Sequence, residues 1–466
     1  MNKKLLLIMF GLCGFMNPFI GSALNLALPQ IGNEFGMNVV ALGWVASSFL
    51  LSTTVFLLPF GRLADIHGRR RVFVIGIIGF SITSFLCSLA HSGTFLIVAR
   101  IFQGMMGAMV FGTTTAILTT VFPPQERGKA LGWNVAAIYL GSSMGPVLGG
   151  FMTQLWGWRS LFYLTSSLGL IVIAMTSFIL KGEWREAHGE KFDLHGSVLY
   201  GISLILVLYG TTVLPELTGY IMIASGLFLL VLFCIFEDKQ KHPVFDIDLL
   251  VKNRVFAMSN LAALLNYCAA FALPFMLSLY LQYVKGMEPR QAGLILLASP
   301  VMMMLGSPIA GRLSDRINPG IVASVGMGMV AIALFIFAIF ISAGTNVTLV
   351  ICLLVLFGSG LSLFSSPNTN AAMGALTSKF LGVGSSVLST MRTVGQMISM
   401  GISMLVMTLI IGRVKVSTEN LPQLIQSVRI SFIVFGILCV LGVFASLARG
   451  RDKGIGNREQ GTGNRE

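Results

Sequence analysis

A chain of 466 residues that is 55% hydrophobic and only 11% charged, with a mean hydropathy of +0.85, lacks the polar surface of a soluble protein, in which about a quarter of residues are charged. The formal charge of +13 sits between apolar runs and forms no nucleic-acid footprint. Six cysteines, Cys13, Cys87, Cys234, Cys268, Cys352 and Cys439, stand apart from one another, a pattern that offers neither a zinc site nor a disulfide framework.

In chain order the apolar runs predict fourteen membrane-spanning helices, at about twenty residues per crossing. Their cores are 5–28, 40–60, 72–90, 94–121, 128–152, 160–180, 195–214, 219–236, 255–283, 292–311, 319–341, 347–375, 380–411 and 424–447; these are spans 1 to 14. Lys3 and Lys4 ahead of LLLIMFGLCGFM imitate a secretory leader, yet the run continues to Leu28 and many spans follow, so it reads as span 1. Spans 7 and 8 are separated only by Leu214 to Thr218.

Lysine and arginine in the loops set the orientation. With the N-terminus inside, 23 lie on the inner side and six on the outer, with Arg100 and Arg392 left within spans. Both termini are therefore expected in the cytoplasm, with the chain in the cell membrane. Two polar linkers, 181–193 and 237–254, bracket spans 7 and 8, and a charged tail, 448–466, is expected to be disordered.

An internal echo organises the rest. FGRLADIHGRRR at Phe60–Arg71 follows span 2, and GRLSDR at Gly311–Arg316 follows span 10, eight spans later. The expected fold is thus an all-α integral membrane protein of two six-helix halves with two inserted central helices, divided 1–180, 181–254 and 255–447 before the tail. Repeated six-helix halves are a transporter architecture, with the substrate site between them near the midplane.

Four stretches in order carry a family resemblance: Asn25-Leu-Ala-Leu-Pro29 in span 1, Phe60–Arg71 after span 2, Arg100-Ile-Phe-Gln103-Gly104 in span 4, and Gly141-Ser-Ser-Met-Gly145-Pro146-Val-Leu-Gly149-Gly150 in span 5. They resemble the motifs of the major facilitator superfamily, in its fourteen-span drug:proton antiporter branch. The resemblance implies a conformational latch at Gly61, Asp65, Gly68, Arg69 and Arg70, echoed by Asp315, and an antiport motif at Gly141, Gly145, Pro146, Gly149 and Gly150.

The residues also have readings of their own. Gly61 and Gly68 permit a tight turn, and Asp65 offers acceptors to a nearby arginine or a helix N-terminus. Gly141, Gly145 and Gly149 share one helix face and allow close backbone approach, while Pro146 removes a backbone donor. Arg100 and Arg392 lie deep in spans, where a charge marks a functional site by default; Gln103 and Gln396 are amides near enough in sequence to satisfy them. Asn25, Asn134 and Asn368 are further coupling or substrate candidates, among a wider polar set of Asn17, Tyr139, Asn266, Tyr267 and Asn370. Met105, Met106, Met109 and Met302–Met304 are available as a deformable apolar wall.

One departure stands out. Ile20 occupies the position where many members of this branch carry an acid in span 1, and none of the eighteen acidic residues falls in the middle of a span. Proton coupling would then rest on Asp65 with Arg100, or on Glu34. The function expected is secondary active efflux of amphipathic compounds, without catalysis, cofactor or metal, by a monomer whose partners are a small-molecule substrate, protons and lipid. The alternatives are an organic-anion carrier using Arg100 and Arg392 and, further off, a membrane receptor.

Overall fold

The computed structural model describes residues 3–185, 189–190, 192–237, 240, 253–376, 381–414 and 420–449. The expected tail from residue 450, parts of both linkers and the side chain of Asp315 lie outside that description. Among the described residues, fourteen segments are long and apolar enough to cross a membrane. In the bilayer every backbone donor and acceptor must be satisfied within the chain, which favours helices.

The first eight helices run Lys3–Phe35, Val39–His67, Arg69–Ser88, Gly93–Val121, Pro124–Trp156, Arg159–Ile179, Leu194–Val213 and Leu217–Glu237. Span 9 is broken: Arg254–Ala270 and Leu273–Leu279 are helical, and a π turn at Tyr280–Val284 follows. Span 10 comprises Pro289–Leu296 and Ala298–Arg316; spans 11 to 14 are Pro319–Phe340, Val347–Gly374, Leu381–Ile410 and Leu421–Leu447. Short loops suffice because side chains cap the helices. Asn38, Ser92, Asn318 and Asn346 each accept a backbone N–H of the turn they begin. Hydroxyls within spans donate back along the helix, as Ser47 does to the Gly43 carbonyl and Thr53 to that of Phe49, each at 2.8 Å.

Packing repeats between the halves. Span 1 packs on 5, 2 on 4, and 3 on 4 and 6; correspondingly span 9 packs on 13, 10 on 12, and 11 on 12 and 14. The sequence echo between Gly61 and Gly311 is therefore a structural one. The inserted pair does not enter either bundle. Span 7 lies against spans 2 and 13, so it straddles one seam between the halves, and span 8 packs on span 7. Leu51, Val55, Tyr200, Leu204, Leu208, Phe233 and Met397 form that junction, and the rings of Trp44 and Tyr209 meet at 5.4 Å.

The two membrane faces differ. On the face away from the termini a single apolar core runs through both halves, joining Phe19 to Ile31 of span 1 and Val39 to Val45 of span 2 with Ala269 to Leu281 of span 9 and Val350 to Phe357 of span 12. On the termini face the halves keep separate cores, one around Phe10, Phe73 and Ile117 and one around Phe256, Met327 and Phe364. The halves thus share one apolar core at one face, the sealed one, and keep divided cores at the other, the parted one.

One local expectation fails. Gly61 is no turn residue: span 2 stays helical to His67, and the reversal occurs at Gly68 alone, with φ +120°. A continuous helix leaves Gly61 with open space around it.

Candidate functional site

The span 5 glycines are explained by two neighbours. A methyl group at Gly141 would press on the Phe15 backbone, one at Gly145 on Phe19 and Ser22, and one at Gly149 on Ala23. These positions, one turn apart, let span 1 lie directly on the span 5 backbone. The other side of the same helix meets span 10. Gly150 abuts the Pro289 carbonyl, and the Pro146 carbonyl faces Gly293. The motif is thus a slab between one helix of each half.

Polar contacts complete the seal on that face. Gln154 donates to a Glu288 carboxylate oxygen at 2.7 Å, and the Arg290 guanidinium lies 4.2 Å from the centre of the Phe151 ring. Ser278 donates to the Asn25 carbonyl at 2.6 Å, and Gln282 to that of Leu26 at 3.2 Å. Asn25 therefore enters the seal through its backbone. At the other seam, the Val39 N–H donates to the Val414 carbonyl at 3.3 Å and Gly43 packs on Met404. Arg413 pairs with Glu216 of the inserted hairpin at 3.0 Å. Glu34 takes both guanidinium nitrogens of Arg159, at 2.9 and 2.6 Å, and the Trp158 indole N–H at 2.8 Å.

The loop after span 2 lies on the opposite, parted face. Arg69, buried, donates to Asp65 at 2.8 Å and to the Thr120 hydroxyl at 2.6 Å. Next to it the described linker residues, 181–185 and 189–190, lie against the turn. The Arg69 N–H donates to the Trp184 carbonyl at 3.0 Å, the Arg70 N–H to Glu183 at 2.9 Å, and Arg62 pairs with Glu190. These bonds hold the loop to the first half and its linker. Gly68 is required by its positive φ, and a methyl group there would also push aside the Glu183 carboxyl that lies against it. Gly68→Ala should therefore displace the linker, at a strain of about 1–3 kcal/mol. Trypsin cleavage at Lys181 and Arg185 is expected to accelerate several-fold; an unchanged digestion rate would refute the clamp.

The two buried arginines differ in kind. Arg100 is 1% exposed. It donates to the Val45 carbonyl at 3.3 Å and to Gln103 at 2.6 Å, Gln103 passes a bond to Ser84 at 2.7 Å, and the guanidinium lies over the Phe49 ring at 4.6 Å. It is enclosed within the first half. The pairing of Asp65 with Arg100 is excluded by position: Val45 precedes Asp65 by twenty helical residues on span 2, about 30 Å. Arg392 is only partly buried. It donates to the Thr369 hydroxyl at 2.5 Å and lies 5.7 Å from the Tyr267 ring centre, where spans 9, 12 and 13 converge.

The asparagines are dispersed. Asn134 is buried against Gly14 of span 1. Asn368 donates to the Ser259 carbonyl at 3.2 Å and accepts from Arg449, whose guanidinium burial pulls down to about 10, still charged at neutral pH. Asn370 donates to Ser314 at 2.9 Å. The methionine wall resolves mainly into gap filling, Met106 on Gly79, Met109 on Gly76 and Met302 on Gly358. Reading the sequence missed the seal residues Gln154, Glu288 and Gly293, and the linker carboxylates Glu183 and Glu190. Glu288 before Pro289 and Gln291 was detectable only as a helix-capping signature.

Comparison with known proteins agrees with this architecture. The Major Facilitator Superfamily model matches residues 10–400 and 260–463. The riboflavin transporter RibZ of Clostridioides difficile (strain 630) is 32% identical over 391 residues, 84% of this chain and 85% of that protein. The multidrug resistance protein Stp of Mycobacterium tuberculosis (strain CDC 1551 / Oshkosh) is 30% identical over 407 residues, 86% of this chain and 75% of that one. The tetracenomycin C resistance and export protein of Streptomyces glaucescens is 26% identical over 406 residues, 85% and 75% of the two chains. In fold, a POT family transporter solved in complex with 5-aminolevulinic acid matches with a TM-score of 0.72 over 95% of each chain, at 15% identity. With fourteen spans, duplicated halves and relatives matched over more than four fifths of its length, this chain belongs to the Major Facilitator Superfamily of membrane transporters.

Proposed function

We propose that this transporter exports amphipathic small molecules across the cell membrane by alternating access, with both termini in the cytoplasm. The observation that carries the reading is the contrast between the faces, one core shared by both halves at one face and separate cores at the other. Given the excess of inner lysine and arginine, the parted face is the cytoplasmic one. A carrier in this state takes its load from inside. The drug-resistance and export names of two relatives support the same direction.

In this account the rigid units are 1–180 and 255–447, and the segment 181–254 is an adaptor across one seam. The working unit is a monomer, since each half already finds its partner within the chain. Asp65, Gly68, Arg69 and Arg70 act as the latch, held in this state by the first half and its linker, with Asp315 as their repeat. Coupling to protons would use Glu34 or Asp65, each set at a membrane face. The relative named as a riboflavin transporter favours a second reading, movement of a single metabolite.

Inside-out vesicles with an imposed pH gradient test the first reading. Uptake of several unrelated amphipathic dyes that stops when the gradient collapses is the expected result. Flux confined to one metabolite would favour the second reading, and flux indifferent to the gradient would remove proton coupling. Asp65→Asn separates the roles: a latch variant slows all flux, whereas a coupling variant leaves downhill exchange intact.

A further inference from the structure

Among the described residues, the charged side chain set deepest within a span is Arg392, and it is cationic. No acidic residue of the spans lies near mid-membrane. Arg100 is enclosed and its donors are engaged by Val45 and Gln103. Arg392 is different in each respect. It is eleven residues from the start of span 13, about 16 Å along the helix from the parted face. The residue is only partly buried and makes one side-chain bond, to Thr369, and its buried Nε finds no protein acceptor among the described residues.

We infer that Arg392, Thr369 and Tyr267 form the charge-selective docking point of the transport cavity, and that its ligands are aromatic organic anions. The inference rests on the export reading for its setting, and deepens it. A guanidinium carries five N–H donors in a planar fork that matches a carboxylate or phenolate. At this depth an uncompensated cation is costly to keep, and an anionic oxygen would compensate it. The Tyr267 ring beside the guanidinium gives the body of the ligand an aromatic surface, and the Thr369 hydroxyl adds a donor. A cationic drug meets the reverse arrangement, repelled by Arg392 with no carboxylate at mid-membrane to receive it.

The test is fluorescence-anisotropy binding of fluorescein, an aromatic anion, and ethidium, an aromatic cation, to the purified full chain, together with flux in proteoliposomes. The wild type should bind fluorescein more tightly than ethidium. Arg392→Gln should weaken fluorescein binding about tenfold or more, the weight of one charge-assisted bond, and leave ethidium binding as tight as in the wild type or tighter, since the repelling charge is gone. Arg392→Lys, which keeps the charge and shares any folding defect of a substituted site, should retain most of the affinity. A wild type that prefers ethidium, or an Arg392→Gln variant whose fluorescein affinity stays within twofold of wild type, overturns the proposal. Fluorescein that binds through Arg392 but is not moved in proteoliposomes would leave the docking point standing and defeat the export reading instead.

Discussion

Gly149→Leu is expected to abolish transport and to remove most of the folded carrier from the membrane. The position faces the Ala23 backbone of span 1, and a single added carbon would already lie 2.6 Å from the Ala23 Cα. Backbone cannot swing aside as a side chain can, so the helices must separate. Overpacking of a tight core costs about 1–3 kcal/mol, and here the cost falls at the upper end because two rigid helices are forced apart. Gly150→Leu presses instead on Pro289 of span 10. It should leave the first half folded and prevent the outer seal from closing. Thermal melting of the purified carrier and thiol labelling at the sealed face distinguish the two. Equal melting temperatures for Gly149→Leu and the wild type would contradict the packing account.

Arg100→Leu should lower the melting temperature by several degrees and reduce flux in proportion to the folded protein that remains. The change removes a charge-assisted bond to Gln103, worth about 1.5–3 kcal/mol, and a desolvated contact with the Phe49 ring worth about 2 kcal/mol. It also leaves Gln103 with an acceptor oxygen facing an apolar wall. Arg100→Leu with Gln103→Leu should therefore recover part of the loss, because the orphaned amide is gone. Arg100→Lys should not recover it, since an ammonium lacks the flat face that lies on Phe49. A variant as stable as the wild type but unable to transport would assign Arg100 a direct part in transport.

The architecture was readable from the chain because the physics of the bilayer is coarse. Apolar runs of the required length appear as helices, and every predicted core matches an observed span to within a few residues at most ends. The repeat of GRLAD and GRLSD disclosed the two halves because the same helix end recurs at corresponding places. What stayed hidden depended on which faces meet. Gly141, Gly145 and Gly149 share a helix face in any reading, but that Gly150 and Pro146 serve a different partner needed span 10 beside them. Arg100 and Arg392 are alike in sequence, each a lone arginine with a glutamine nearby. Their surroundings separate them: a span 2 carbonyl and an aromatic ring enclose Arg100, whereas Arg392 is only partly buried between Thr369 and the Tyr267 ring. The break in span 9 at residues 271–272 lay unannounced in a continuous apolar run, with Pro274 as the one local signal.

The linker that clamps the Gly68 turn also bears on mechanism. If the parted face closes during the cycle, the bonds of Glu183 to the Arg70 N–H and of Glu190 to Arg62 lie beside the moving surface. The linker then holds the latch residues in place at the edge of that surface. The adaptor spans have a parallel role at the other end, where Glu216 reaches Arg413.

Alternating access through this seal is tested most directly by a disulfide across it. In a background lacking the six native cysteines, Gln154→Cys with Glu288→Cys replaces the 2.7 Å contact between span 5 and span 10. The cross-link should form readily without substrate, stop flux, and release it on reduction. A cross-linked carrier that transports at the uncross-linked rate would contradict the account.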